Sequence, residues 1–87
     1  VSEETLLEFP CQFPIKAMGT NHKYFENDVV MIVRKHTPNL GEGAVTSKPS
    51  RTGKYLAVTV TITATSKAQI DAIYQTLHAH PDVKMVL

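Results

Sequence analysis

Lys48, Arg51 and Lys54 lie close together in the chain, Lys67 follows, and no acidic residue occurs between Ala44 and Ser66. Ser47, Ser50 and Thr52 add hydroxyls, Tyr55 a phenol, and Gly53 an unobstructed backbone N–H. Cations with short donors beside them and no counter-charge suit an anion or an acidic partner, so Lys48, Ser50, Arg51, Lys54 and Tyr55 form a candidate anion- or partner-binding set. The competing reading is a solvated loop tip, where exposed Lys and Arg are ordinary.

A second candidate is Met18-Gly19-Thr20-Asn21, followed by His22. Free N–H groups at the start of a helix favour a carboxylate or phosphate, and a glycine at such a turn lets a ligand approach the main chain. A tight turn with Asn21 as helix cap explains the same residues without a ligand.

The remaining reactive side chains assemble into nothing recognisable. His78 and His80 are two positions apart and cannot share a helix face; with Asp82 they read as helix-end histidines interacting with terminal carbonyls rather than as a metal site. His36 has the same reading. Cys11 has no identifiable base to activate it and no second cysteine to pair with. Phosphate loops, nucleophile elbows and paired carboxylates are missing from the sequence. The expectation is a chain with no catalytic residues, no metal and no cofactor.

Composition narrows the class. Hydrophobic residues make up 43% of the 87 positions and charged residues 20%, which is ordinary globular usage. A formal charge of +1 gives no bulk attraction for nucleic acid, although a local basic patch acts at short range. The longest uncharged run, between Lys54 and Lys67, alternates apolar residues with Thr and cannot form a membrane-spanning helix. Glu3, Glu4 and Glu8 stand where a signal peptide needs basic and apolar residues, so a cytoplasmic protein is expected.

These candidate residues must be positioned by the elements around them. Leu6, Leu7 and Phe9 in residues 1–10 read as a segment packing onto the domain, with Pro10 and Pro14 preventing a continuous helix. Phe13, Ile15 and Ala17 alternate with Pro14, Lys16 and Met18 as a two-faced strand that Gly19 ends. Asn21 is expected to cap a helix over 22–36, with Phe25, Val29, Ile32 and Val33 on its apolar side. Pro38, Asn39, Gly41 and Gly43 make a connection. The runs 44–50 and 54–65 flank Arg51-Thr52-Gly53 as a hairpin. Pro49 places the first run at a sheet edge, and the apolar row Leu56, Val58, Val60, Ile62 and Ala64 places the second at its centre. Ser66 and Gln69 form a capping-box pattern before a helix carrying Ile70, Ile73, Tyr74 and Leu77. Pro81 and Asp82 stop it, and 83–87 is a last strand.

The order strand, helix, strand, strand, helix, strand predicts one α+β domain over residues 1–87. It is a ferredoxin-like βαββαβ sandwich whose four-stranded antiparallel sheet has order 4-1-3-2, with both helices on one face. Tyr55, Ala57, Thr59, Thr61 and Thr63 must then occupy the helix-free face. A sheet that reads RNA needs central aromatic residues, and Thr59 and Thr61 stand there instead, which argues against a nucleic-acid partner. A solvated face and a homodimer contact through the face or an edge strand both remain open.

The motifs Leu6-Leu7-Glu8-Phe9-Pro10, Lys16 with Met18-Gly19, Lys48-Pro49-Ser50 with Gly53 and Tyr55, and Met85-Val86-Leu87, taken in order, resemble the YbeD-like family of small bacterial proteins. The resemblance spans nearly the whole chain. It implies a ferredoxin-like fold close to that of ACT domains, regulatory modules that bind amino acids and similar effectors. In those domains the turn after the first strand, here Met18 to Asn21, receives the ligand at a subunit interface. The chain lacks the fuller acidic-residue and Pro-Gly pattern of such turns. The reading that follows is a non-catalytic regulatory or adaptor module. It binds a protein partner or a small anionic metabolite through Lys48 to Tyr55, with an ACT-like effector-binding dimer as the alternative.

Overall fold

The computed structural model describes residues 8–38 and 40–87. The elements run β1 (Cys11–Thr20), α1 (Phe25–His36), a 3-10 turn (Glu42–Ala44), β2 (Val45–Pro49), β3 (Tyr55–Ala64), α2 (Lys67–Ala79) and β4 (Val83–Val86). The sheet order is β2-β3-β1-β4 with every pair antiparallel, which is the expected 4-1-3-2 read from the other edge. No helix among the described residues is long and apolar enough to cross a membrane.

The alternation read from the sequence sets the two faces. Ile15 and Ala17 of β1 and Val58, Val60, Ile62 and Ala64 of β3 are buried against Phe25, Val29 and Val33 of α1 and Ile70, Ile73 and Leu77 of α2. Fully burying one such Val, Ile, Leu or Phe contributes about 1.5–3 kcal/mol, so this single layer between sheet and helices is the main source of stability. Phe9 also packs against it; Leu6 and Leu7 lie outside the described residues.

Hydrogen-bond direction follows from one pair. Lys16 and Leu87 exchange both backbone bonds, at 3.1 and 2.8 Å, so even-numbered residues of β1 face β4 and odd-numbered ones face β3. The unbroken β1–β3 register carries that alternation across the sheet. In β3 the backbone groups of Leu56, Val58, Val60, Ile62 and Ala64 therefore point to β1. Those of Tyr55, Ala57, Thr59, Thr61 and Thr63 point to the opposite edge. The 2.8 Å bond from Ser50 N–H to Tyr55 C=O agrees. Both strand prolines then sit where no ladder N–H is needed: Pro49 faces outward on edge strand β2, and Pro14 lies beyond the end of β4.

The first strand–helix junction differs from the sequence expectation in two ways. Gly19 does not end β1, which continues to Thr20 opposite Tyr55. Asn21 does not cap α1. The helix begins at Phe25, and Tyr24 in the capping position makes no side-chain cap bond. The longer strand carries Asn21 beside the β2–β3 hairpin. There its N–H donates to Lys54 C=O at 3.1 Å and its Nδ2 to Gly53 C=O at 2.8 Å. His22 takes up the junction: Phe25 N–H donates to its carbonyl at 3.1 Å and Tyr24 N–H to its Nδ1 at 3.2 Å. The second helix follows expectation, with Gln69 N–H donating to Ser66 Oγ at 3.1 Å.

Candidate functional site

β1, β3 and β2 place three cross-sheet rows on the helix-free face. Register aligns Lys16 with Thr59 and Thr46, Met18 with Ala57 and Lys48, and Thr20 with Tyr55. β4 extends the middle row, because Met85 pairs with Met18. Ala57 is the smallest side chain at the centre of these rows, and its larger neighbours stand around it. The result is a concavity of about 460 Å³ whose lining includes Lys16, Met18, Lys48, Ser50, Tyr55 and Thr59.

Lys16 and Lys48 flank this floor from opposite sides. They are two strand spacings and two residues apart, or about 12 Å between Cα atoms on ideal sheet dimensions. Two extended Lys side chains can close that span on a single anion. Both are exposed, and among the described residues neither forms an ion pair, nor does Arg51. Ser50 Oγ accepts from Tyr55 N–H at 3.1 Å, which leaves its own O–H free to donate toward the concavity. Tyr55 is partly exposed, and Lys54 Nζ lies 5.5 Å from its ring centroid.

The hairpin that carries these groups is held from several directions. Gly53 adopts φ +76°, and its N–H donates to Ser50 C=O at 2.9 Å, closing the turn Ser50–Gly53. Asn21 fastens that turn to the end of β1. Thr20 N–H in turn donates to Asp82 C=O at 3.1 Å, tying the same segment to the start of β4.

Of the anion-site candidates read from sequence, Lys48, Ser50 and Tyr55 line the concavity, while Arg51 and Lys54 sit exposed at the hairpin tip. Lys16, Thr46, Ala57 and Thr59 were not singled out for this site. Their signal is period-2 alternation on neighbouring strands, which becomes a site only once the register is known. The other candidate set divides. Met18 joins the concavity, and Thr20 and Asn21 serve as ties. Gly19 is buried, and a Cβ there would lie 2.1 Å from Asp82 carbonyl oxygen and 2.6 Å from the Phe25 ring. The space above this glycine is filled by the protein itself.

The histidines form an arrangement that the sequence reading missed. His22 Nδ1 accepts from Tyr24 N–H, so its Nε2–H donates to Asp82 Oδ2 at 2.9 Å. His80 repeats the pattern. Its Nδ1 accepts from Asp82 N–H at 3.1 Å and its Nε2 meets Asp28 Oδ2 at 3.2 Å. The His80 ring thus leaves the carbonyls of its own helix, contrary to the helix-end reading, because Asp28 on α1 offers a stronger acceptor. Both rings stand edge-on to Phe25, with centroids 6.0 and 6.4 Å from it. With both nitrogens of each ring engaged, these pairs cross-link the two strand–helix junctions. Among the described residues no group of three His, Cys, Asp or Glu side chains is placed to hold a metal.

Comparison with known proteins agrees with this architecture and extends to the sequence. A family model described as "Protein of unknown function (DUF493)" matches residues 4–87. UPF0250 protein NE1487 of Nitrosomonas europaea is 45% identical over 87 residues, covering 100% of both chains. A UPF0250 protein of Chromobacterium violaceum is 48% identical over 85 residues, 98% of this chain and 96% of the relative. The solution structure of HP0495 from H. pylori superposes with a TM-score of 0.71 at 12% identity, covering 93% of this chain and 85% of that one, a likeness of fold. On full-length matches of this strength, the chain belongs to the DUF493 (UPF0250) family, the YbeD-like family that its ordered motifs resemble.

Proposed function

We propose that this protein is a non-catalytic binding module that captures the anionic group of a protein partner or small metabolite on its helix-free sheet face. The observation that carries this reading is the Ala57-floored concavity with Lys16 and Lys48 on either side and no carboxylate paired to them among the described residues. Hydrogen bonds to a charged group contribute about 1.5–3 kcal/mol each, so two lysines, the Ser50 hydroxyl and the Tyr55 phenol hold a carboxylate or phosphate usefully only by acting together. The role in this reading is regulatory or adaptor-like, with these groups binding and orienting the anion.

Inorganic phosphate and a series of mono- and dicarboxylates, titrated while backbone amide signals are recorded, test the reading. Shifts should concentrate at Lys16, Lys48, Ser50 and Ala57, and K16E/K48E should weaken binding at least tenfold while leaving the fold unchanged. Shifts confined to other surfaces, or an affinity indifferent to the charge reversal, would reject it. An effector site over Gly19 receives no comparable support, since Phe25 and Asp82 occupy that space.

A further inference from the structure

The middle cross-sheet row reads Lys48, Ala57, Met18, Met85, a cation at the β2 edge followed by three apolar side chains. The row beside it ends at Leu87, which exchanges both backbone bonds with Lys16 and so shares its face. Met85 is 49% exposed and Leu87 62%, and the partly exposed Tyr55 stands on the same face. Apolar side chains exposed singly need no account, but a group of them beside a polar concavity does. Here they adjoin lysines that, among the described residues, pair with no carboxylate.

The polar end of this surface has a definite charge and donor set. Lys16 and Lys48 bring the positive charge, Ser50 and Tyr55 bring hydroxyls, and the face-lining positions of β1, β2 and β3 carry no acidic residue. A carboxylate offers a single negative charge and a pair of oxygens to these groups. A phosphate monoester carries about −1.5 to −2 at pH 7 and three acceptor oxygens, which matches both lysines and leaves an acceptor for a hydroxyl. The apolar end lies about 10 Å from the Ala57 floor, because two strand spacings separate Ala57 from Met85.

We propose that this face binds a small phosphate monoester with an apolar body, its head over Ala57 between Lys16 and Lys48 and its apolar part lying across Met18 toward Met85 and Leu87. The proposal rests on the anion-binding reading above and adds the charge of the head, the apolarity of the remainder and the direction in which the ligand lies. Methionine suits the apolar end, since its flexible thioether adapts to the shape laid against it. The ligand is a free small molecule, because a concavity of about 460 Å³ falls within the range of small-molecule sites. A second copy of this chain placed face to face brings lysines against lysines, which disfavours self-covering.

The probes are inorganic, methyl, butyl and hexyl phosphate, each below its micelle-forming concentration, titrated into the full chain while amide and Met methyl signals are recorded. Full burial of a methylene is worth about fourfold in affinity, and a chain on an open face is covered on one side, so hexyl phosphate should bind at least about tenfold more tightly than methyl phosphate. The Met18 and Met85 methyl signals should move with hexyl phosphate and stay still with inorganic phosphate. Hexanesulfonate, singly charged, should bind about fivefold more weakly than hexyl phosphate, the value of one further unit charge beside exposed lysines. M18T/M85T, checked for folding by urea unfolding, should lose the gain from the chain and keep its affinity for inorganic phosphate. Binding of inorganic phosphate with no gain along the series overturns this proposal and leaves the broader anion-binding reading standing. Hexanol or hexanesulfonate binding as tightly as hexyl phosphate overturns it, as does a gain that survives M18T/M85T. Capture of phosphatidate vesicles without binding of hexyl phosphate also overturns it, by placing the phosphate in a membrane. No response to any phosphate overturns it as well, and the carboxylate titrations then decide the broader reading alone.

Discussion

Gly19 is held as glycine by its neighbours rather than by its own torsions, since it lies in an extended strand. Replacing it with Ala sets a methyl group against a main-chain oxygen and a buried ring, neither of which can swing aside. G19A should destabilise the protein by at least about 1–3 kcal/mol, the usual cost of overpacking, seen as a lower urea midpoint at unchanged slope. Asn21 acts through a single side-chain bond to Gly53 C=O on an exposed surface. N21A should cost only about 0.5–1.5 kcal/mol, and should raise amide exchange at Arg51 to Lys54 more than in the core. Both residues were visible in the sequence as a turn motif. Their tasks were not, because the partners Asp82 and Gly53 are remote in the chain and reach them only through the fold.

At the scale of elements, α2 shows which local signals suffice. Ser66 and Gln69 mark its start in the sequence, and the cap forms as expected. Gln69 does more than the motif implies: its Oε1 accepts from Thr65 N–H at 2.7 Å, and its Nε2 donates to His36 C=O at 2.8 Å, at the end of α1. Q69A should therefore cost more than the about 1 kcal/mol expected for S66A, a comparison that thermal or urea unfolding makes directly. Tyr74 on the same helix is half-buried, and burial, with the Asp71 carboxylate second, raises its phenol above the ordinary value. The folded protein thus holds this proton more tightly than the unfolded chain. The resulting stability is intact below about pH 10 and is lost as pH rises through the folded-state value. Y74F should flatten that part of the alkaline decline, measured by urea unfolding at pH 9 and pH 11. Local pattern predicted α1 less well than α2, because a tertiary demand won: β1 stays paired through Thr20, and the helix cannot begin until the chain has turned away from the sheet.

For the molecule as a whole, the face left bare by the helices decides where binding can occur. If Lys16 and Lys48 act together there, anion affinity should fall steeply between low and physiological ionic strength, since exposed charges are screened over about 8–10 Å. K16E and K48E should each remove much of that dependence, and titrations at two salt concentrations measure it. The sequence by itself determined the element order, the sheet order, the core rows and the basic hairpin, because these rest on periodicity, prolines and short-range capping. Its ordered motifs also pointed to the family. Only the tertiary structure decided that Lys16 faces Lys48 across Ala57, that the space over Gly19 is filled, and that His22 and His80 find Asp82 and Asp28. Each of these depends on strand register or on the relative lengths of paired strands, which arise between distant segments and leave no mark within any one of them. The concavity over Ala57 is one such product of register, assembled from three strands.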